Sequence, residues 1–182
     1  DEISSHVNVC RLKYSGGLGY FLNVLEFKQL VGKISPDVIH AHFASGYGTL
    51  ARNSGVKYLL SVWGSDVYDF PNESLLNRFL LKRALGGAER LYSTSHCMKK
   101  ETLKYINKDI KVIPFGVNVD LYLPPKRSSD RFVVGIVKVL AYKYGIDTLV
   151  RGFDIFRRNH SEDVKLVIAG DGPDKKMIEG LV

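Results

Sequence analysis

The sequence predicts an α/β fold in which helices cover both faces of a parallel sheet. Short runs rich in β-branched residues alternate with longer segments of helical period. The strand runs are largely apolar, which is typical of parallel strands. No stretch approaches the ~18 uncharged apolar residues of a membrane helix. The composition, 45% hydrophobic and 25% charged over 182 residues, is ordinary for a globular protein.

The alternation can be followed from the first residues. A strand is predicted at 6–12 and an amphipathic helix at 20–34. The pattern continues with strands at 37–42, 57–63, 90–94 and 110–115, and with helices at 47–54, 74–85 and 96–106. Gly55 and the Gly86-Gly87 pair end two of these helices, because glycine favours the C-terminal end of a helix.

The pattern breaks once, at VNVDLYLPPKRSSDR, which is typical of a linker between domains. It then resumes with strands at 131–140 and 164–170, a helix at 145–159 and a helix opening at Pro173. We therefore predict a first domain at 1–118 that lacks its first strand, a linker at 119–130 and the beginning of a second domain at 131–182. Two strands cannot close a core, so we expect a fragment of a protein of roughly 300 to 400 residues.

The charge limits the classes of partner. A net charge of +7 favours anionic partners. The sequence has no arginine-rich run, zinc-finger spacing or aromatic RNA-binding signature, so we expect no nucleic acid partner and leave a phosphorylated small molecule open. The two cysteines are too few for a disulfide framework and fit a reducing, cytoplasmic compartment.

Two histidines, His40 and His42, lie two residues apart near the end of a predicted strand, so they share a face. A metal site, a substrate-orienting pair and a packed pair are the alternatives. A zinc site would need a third ligand, which no nearby motif supplies. His42 is the stronger functional candidate because ligands of open α/β sheets bind beyond the carboxyl ends of strands.

The next predicted strand ends in SVWGSD. Gly64 permits a tight turn, while Ser65 and Asp66 could either cap the following segment or bind sugar hydroxyls. Trp63 could fill the core or stack on a sugar ring.

Two turns in the second half are candidates for anion binding. The first lies between a strand and a helix and contains Gly135, Lys138, Lys143 and Gly145. The second, AGDGP, contains Asp171 and Gly172, and a purely structural role would also explain it. Neither the P-loop pattern nor G-x-G-x-x-G is present, which argues against a dinucleotide-dependent oxidoreductase.

Six segments in order resemble glycosyltransferase family 4: PDVIHAH, SVWGSD, TSHCMKKE, IKVIPFGVN, the glycine–lysine turn and KLVIAGDGP. The resemblance implies the GT-B fold, with a Rossmann-like acceptor domain and the start of a Rossmann-like donor domain. It also implies a retaining, nucleotide-sugar-dependent hexosyltransferase.

The resemblance assigns roles to individual residues. His42 matches a histidine that orients the donor sugar. Gly64 and Asp66 match the family's H-G-x-D string, in which Trp63 replaces the histidine, and they place SVWGSD on the acceptor side.

Other positions depart from the family pattern. Asn118 replaces an aspartate. Val139 and Tyr144 fall where the family has the Arg and Lys that hold the donor diphosphate. Either the neighbouring Lys138 and Lys143 hold it from shifted positions or the diphosphate is bound differently, and we favour the lysines because a diphosphate needs cationic partners. A family Glu pair belongs beyond Val182, and we therefore expect the fragment alone to be inactive.

The resemblance implies no metal and no cofactor, since the nucleotide sugar is a substrate. The partners it implies are a nucleotide-diphosphate sugar and a glycan or lipid-linked acceptor, as in polysaccharide biosynthesis. The segment SLLNRFLLKRAL has basic and leucine-rich faces. It could attach peripherally to the cytoplasmic membrane face or simply cover the sheet. A noncatalytic sugar- or nucleotide-binding α/β module is the alternative function.

Overall fold

A computed structural model describes residues 6–122, 131–160 and 163–181. The chain divides into two compact units, Asp1–Val117 and Asn118–Val182. Residues 123–130, most of the predicted linker, lie outside the described residues. Val119–Leu121, at the start of that predicted linker, forms a short 3₁₀ turn.

Over residues 6–117, the first unit has four parallel strands in the spatial order β1-β2-β3-β4. They are β1 (His40–His42), β2 (Leu59–Val62), β3 (Arg90–Ser93) and β4 (Ile110–Val112). Its helices are α1 (Gly16–Leu22), α2 (Val24–Ile34), α3 (Thr49–Ser54), α4 (Ser65–Tyr68), α5 (Phe70–Glu73), α6 (Leu75–Gly87) and α7 (His96–Thr102). A π-helical turn, Ala44–Gly48, precedes α3.

The core of this unit lies on one face of the sheet. Ala41, Leu60, Leu91 and Ile110 are register partners across the four strands, and each is buried. Residues of α3, α4, α6 and α7 pack on that row. Right-handed crossovers between strands in sequential order place their helices on the same face. The expectation of helices on both faces is therefore not met by the described residues.

The opposite face is polar and partly exposed. Its central row is His42, Ser61, Tyr92 and Lys111, which are register partners. His42 and Lys111 are exposed and Ser61 is buried. The histidines thus lie on the face that the helices leave uncovered.

Two sequence-based predictions in the first unit are wrong in detail. Residues 6–12 form no strand, because an apolar extended segment becomes one only when it pairs with a neighbour. The helix predicted at 20–34 is divided into α1 and α2 by Asn23. The buried side chain of Asn23 accepts from the Tyr14 amide at 3.0 Å and donates to the Tyr14 carbonyl at 2.7 Å.

The second unit pairs β5 (Phe132–Val137) with β6 (Val164–Ala169) in parallel. This unit also contains the helices α8 (Ile146–Arg158) and α9 (Lys175–Glu179), and a 3₁₀ turn, Tyr142–Tyr144, leads into α8. Its core is Leu140, Ile146, Val150 and Ile178, against which Ile136, Leu166, Ile168 and Leu181 pack. The alternation of strand and helix, and with it the α/β fold class, is confirmed in both units.

Candidate functional site

His42 and Trp63 meet at the carboxyl ends of two neighbouring strands. His42 is the last residue of β1, Trp63 directly follows β2, and the two strands are parallel partners. The Trp63 Nε1–H donates a hydrogen bond of 3.2 Å to His42 Nδ1. Their rings meet edge to face at 5.5 Å. Trp63 is 47% exposed, so it is not core filler.

His40 lies beside His42 on the same face, as the two-residue spacing predicts. The imidazole centroids are 4.1 Å apart, and His40 Nε2 is 2.8 Å from the Ser61 hydroxyl. Burial lowers the pKa of His40, and the charge of a protonated His42 would lower it further. No group of three or more His, Cys, Asp or Glu side chains within residues 6–122, 131–160 and 163–181 is arranged to hold a metal ion.

Asp66 is enclosed and cannot reach an acceptor. It has no exposed surface, and its carboxylate accepts hydrogen bonds from three main-chain amides. These are Ala44 at 2.8 Å, Gly64 at 2.8 Å and Trp63 at 3.0 Å. Of the two alternatives for Asp66, a local structural role and the binding of sugar hydroxyls, these contacts favour the structural role, in which Asp66 joins the loops after β1 and β2. Ser65 is exposed at the start of α4, where its acceptor-side role stays a prediction.

The main chain is strained next to His42. Phe43 has φ 83° and ψ 104°, a region that non-glycine residues rarely occupy, and the π-helical turn begins at the next residue. Both features are frequent at functional sites. Gly64 also has a positive φ, 132°, as a tight turn requires. Nothing in the sequence marks Phe43, because phenylalanine does not favour this conformation.

Two aromatic residues that the sequence analysis did not assign complete this cluster. Phe115 follows β4 and contacts Trp63 edge to face, with ring centroids 5.0 Å apart. Tyr92 in β3 lies 5.6 Å from His40, centroid to centroid. Phe115 belongs to the PFGVN segment beyond the end of β4. Its place at the same sheet edge as His42 could therefore have been inferred from the predicted topology.

In the second unit, Lys138 and Lys143 converge on one aromatic ring. The Nζ atoms of the two lysines lie 4.3 Å and 5.3 Å from the centroid of Tyr144. Lys138 directly follows β5, and Lys143 precedes Gly145, whose φ of 61° lets the chain enter α8. Both lysines are exposed, and Tyr144 lies two residues before the first residue of α8, a thirteen-residue helix.

The AGDGP turn packs against the segment that leaves β5. The Asp171 carbonyl accepts from the Leu140 amide at 2.9 Å, and the Asp171 carboxylate accepts from the Gly172 amide at 2.9 Å. Gly135, in contrast, lies inside β5 opposite Val167 and not in the strand-to-helix turn. Gly135 therefore belongs to the strand predicted at 131–140, and not to the turn that follows it.

Two family models match the chain. The model described as "Glycosyl transferase 4-like" matches residues 1–95, more than half of the chain. The model described as "Glycosyl transferases group 1" matches residues 124–182.

Three curated relatives span both matched regions. TuaC of Bacillus subtilis, named as a glycosyltransferase of teichuronic acid biosynthesis, is 29% identical over 154 residues, 79% of this chain and 40% of TuaC. The gpi3 subunit of a phosphatidylinositol N-acetylglucosaminyltransferase of Schizosaccharomyces pombe is 26% identical over 158 residues, 81% of this chain and 34% of that protein. The alpha-monoglucosyldiacylglycerol synthase of Acholeplasma laidlawii is 25% identical over 198 residues, 91% of this chain and 49% of the synthase.

The chain therefore corresponds to between about a third and a half of the length of these relatives. The matches to both family models agree with the parallel α/β architecture of each unit, which is that of the GT-B fold. The chain belongs to the glycosyl transferase 4-like family.

Proposed function

We propose that this protein is a retaining glycosyltransferase. It would move a hexose from a nucleoside diphosphate sugar to a glycan or lipid-linked acceptor. The observation that carries the proposal is the match of both units, in order, to glycosyltransferase family models. The geometry supports it, because each unit places polar side chains beyond the carboxyl ends of its parallel strands, where α/β sheets bind ligands.

In this proposal His42 orients the donor sugar, with Trp63, Gly64 and Ser65 beside the acceptor. Lys138 and Lys143 hold the diphosphate. The N-terminus of α8 would add main-chain N–H groups and a positive helix end to the charge of the lysines, while Asp171 and Gly172 are proposed as further contacts of the donor. The two lysines would supply the neutralising charge, and no bound cofactor takes part in the proposed reaction.

The test is a transfer assay on the complete gene product. Uridine- and guanosine-diphosphate hexoses would be offered with oligosaccharide and lipid acceptors, and proton NMR of the product would give its anomeric configuration. We expect release of nucleoside diphosphate coupled to product of unchanged configuration, and loss of both in His42→Ala. Tight nucleotide binding without transfer to any acceptor would instead support the noncatalytic binding module.

We further propose that the acceptor is reached at a membrane surface. The names of two relatives contain a lipid, phosphatidylinositol in one and diacylglycerol in the other. Helix α6 exposes 83% of Leu75, 64% of Leu76 and 55% of Phe79. Single exposed apolar residues are common, but three within five positions of one helix form a patch that suits an apolar environment.

Basic side chains adjoin this patch. Arg83 lies 5.7 Å from the Phe79 ring centroid. Arg78, Lys82 and Lys104 line a cleft of about 330 Å³ together with Asn72, Glu101 and Tyr105. Glu101 pairs with Lys104 at 2.6 Å, so the two α6 cations carry most of the positive charge of this cleft. Apolar residues beside cations match the acyl and phosphate layers of an anionic bilayer. No helix within the described residues is long and apolar enough to cross a membrane.

Vesicle sedimentation tests this surface. We expect binding to vesicles that contain phosphatidylglycerol and weak binding to pure phosphatidylcholine. Leu75→Ser with Leu76→Ser, or Arg78→Gln with Lys82→Gln, should abolish the binding. The matched control, Lys28→Gln with Lys33→Gln, removes the same charge from exposed positions on α2 and should bind like the parent. Equal loss in all variants would indicate unspecific attraction and would contradict a surface on α6.

A further inference from the structure

The hydrogen bond between Trp63 and His42 has a defined direction. An indole nitrogen can only donate, so His42 Nδ1 must accept through its lone pair. A neutral imidazole carries its one proton on the other nitrogen, Nε2. A proton on Nδ1 would place two N–H groups against each other. The 3.2 Å bond therefore exists only while His42 is neutral and protonated at Nε2.

Trp63 is held from both its main chain and its side chain. Its amide donates to the buried Asp66 carboxylate at 3.0 Å. Its indole lies between the His42 ring at 5.5 Å and the Phe115 ring at 5.0 Å, both edge to face. The indole N–H is thus directed at His42 by several independent contacts.

The His42 ring also contacts His40. His40 stacks on it at 4.1 Å with an interplanar angle of 35°, and His40 is itself hydrogen-bonded to the buried Ser61. Desolvation, and to a smaller extent the charge of His42, lowers the pKa of His40. His42 nevertheless remains exposed. With Nδ1 taken by Trp63, the polar group that it offers to a ligand is Nε2–H.

We propose that Trp63 is a positioning residue that fixes His42 as a hydrogen-bond donor through Nε2. The atom that His42 orients is then an oxygen with a free lone pair, such as a sugar hydroxyl acting as acceptor. Proton abstraction by His42 through Nδ1 is blocked while the bond to Trp63 lasts. This inference rests on the proposed transferase function only for the identity of the ligand, since the tautomer is a property of the chain alone.

The tautomer is tested by ¹⁵N NMR on the complete gene product at a pH where histidine is neutral. Free histidine already favours the Nε2–H form, so the decisive signal is a scalar coupling between Trp63 Nε1 and His42 Nδ1 across the hydrogen bond. We expect this coupling, a pyridine-type Nδ1 and slow exchange of the indole proton. In Trp63→Phe, which keeps an aromatic ring, the Nδ1 signal should move towards that of a free histidine. Absence of the coupling in the parent would overturn the inference.

The positioning role is tested separately by kinetics on the complete gene product. Loss of one hydrogen bond, worth about 1 kcal/mol, should lower kcat roughly five- to tenfold in Trp63→Phe, with little change in the KM for the donor. Trp63→His restores a ring that can donate an N–H and should recover part of the loss. Unchanged kcat in Trp63→Phe would contradict the role even if the coupling is seen. A protein that shows the coupling but transfers no sugar would refute the transferase function and leave the tautomer assignment standing.

Discussion

The Asp66 carboxylate lies 2.8 Å from the amide nitrogen of Ala44, so a side chain that follows β2 holds the loop that follows β1. The other oxygen of this carboxylate accepts from Gly64 and Trp63. One buried carboxylate thereby satisfies three main-chain donors: Ala44, two residues after His42, and the consecutive residues Trp63 and Gly64. The Trp63–His42 hydrogen bond depends on these Asp66 contacts, because both connect the segment at the end of β1 to the segment at the end of β2.

Asp66→Asn should therefore destabilise the first unit. One carboxylate oxygen becomes an amide NH₂, which cannot accept from Ala44, while the oxygen that bonds Gly64 and Trp63 can remain. Loss of one charge-assisted hydrogen bond at a buried site costs about 1.5–3 kcal/mol. Urea unfolding followed by Trp63 fluorescence would measure the change. Ser65→Ala, an exposed neighbour, is the control and should unfold like the parent. Equal midpoints for Asp66→Asn and the parent would refute the role of Asp66.

The sequence predicts the strands of both units because each is a short apolar run, and it predicts that His42 and Trp63 end neighbouring strands. It does not predict that Asp66 is buried. An aspartate shortly after a glycine could cap a helix, contact a ligand or hydrogen-bond to a neighbouring loop, and the sequence does not distinguish these roles. The hydrophobic periodicity of the sequence also does not predict the break between α1 and α2 at Asn23 or the positive φ of Phe43. Both depend on contacts with distant segments that local propensity does not contain.

His40 should titrate below the ordinary histidine range. Desolvation is the larger cause of its lowered pKa, and the charge of His42 is the smaller one. His42→Gln should therefore raise the pKa of His40 only in part. A histidine whose pKa is lower in the folded state stabilises the fold above its unfolded pKa of about 6.5 and loses that contribution as pH falls through the folded value. A proton NMR titration of the His40 ring measures this midpoint, and a value at or above that of an unfolded peptide would contradict the prediction.

Substitution by alanine should destabilise the protein at Gly172 and stabilise it at Gly152. A Cβ at Gly172 would overlap the Leu140 carbonyl oxygen, where the AGDGP turn packs on the segment leaving β5. Overpacking of this kind costs about 1–3 kcal/mol. Gly152 lies in α8 with open space around the position of a Cβ, so Gly152→Ala should stabilise the helix by about 0.5–1 kcal/mol. Thermal unfolding by circular dichroism compares the two variants. Destabilisation by both would mean that loss of glycine itself, and not the close approach at Gly172, is responsible.

The ammonium groups of Lys138 and Lys143 both contact the Tyr144 ring. Two like charges beside one ring repel each other, and an anion placed between them would relieve that repulsion. If they hold the donor diphosphate, each charge-assisted bond contributes about 1.5–3 kcal/mol, or roughly ten- to a hundredfold in affinity. Lys138→Met or Lys143→Met should raise the Kd for uridine or guanosine diphosphate by that factor, measured by calorimetric titration at fixed salt.

Thermal stability should barely change in either variant, because exposed lysines contribute little to folding. Lys165→Met is the matched control. Lys165 is also exposed in the second unit but lies near the start of β6, at the opposite end of the strands from Lys138. It should leave the Kd unchanged. If all three variants bind nucleotide like the parent, the lysines are solvated surface charges and the diphosphate is bound by other groups. If Lys165→Met weakens binding as much as the other two, the effect is that of net charge and not of a site at Tyr144.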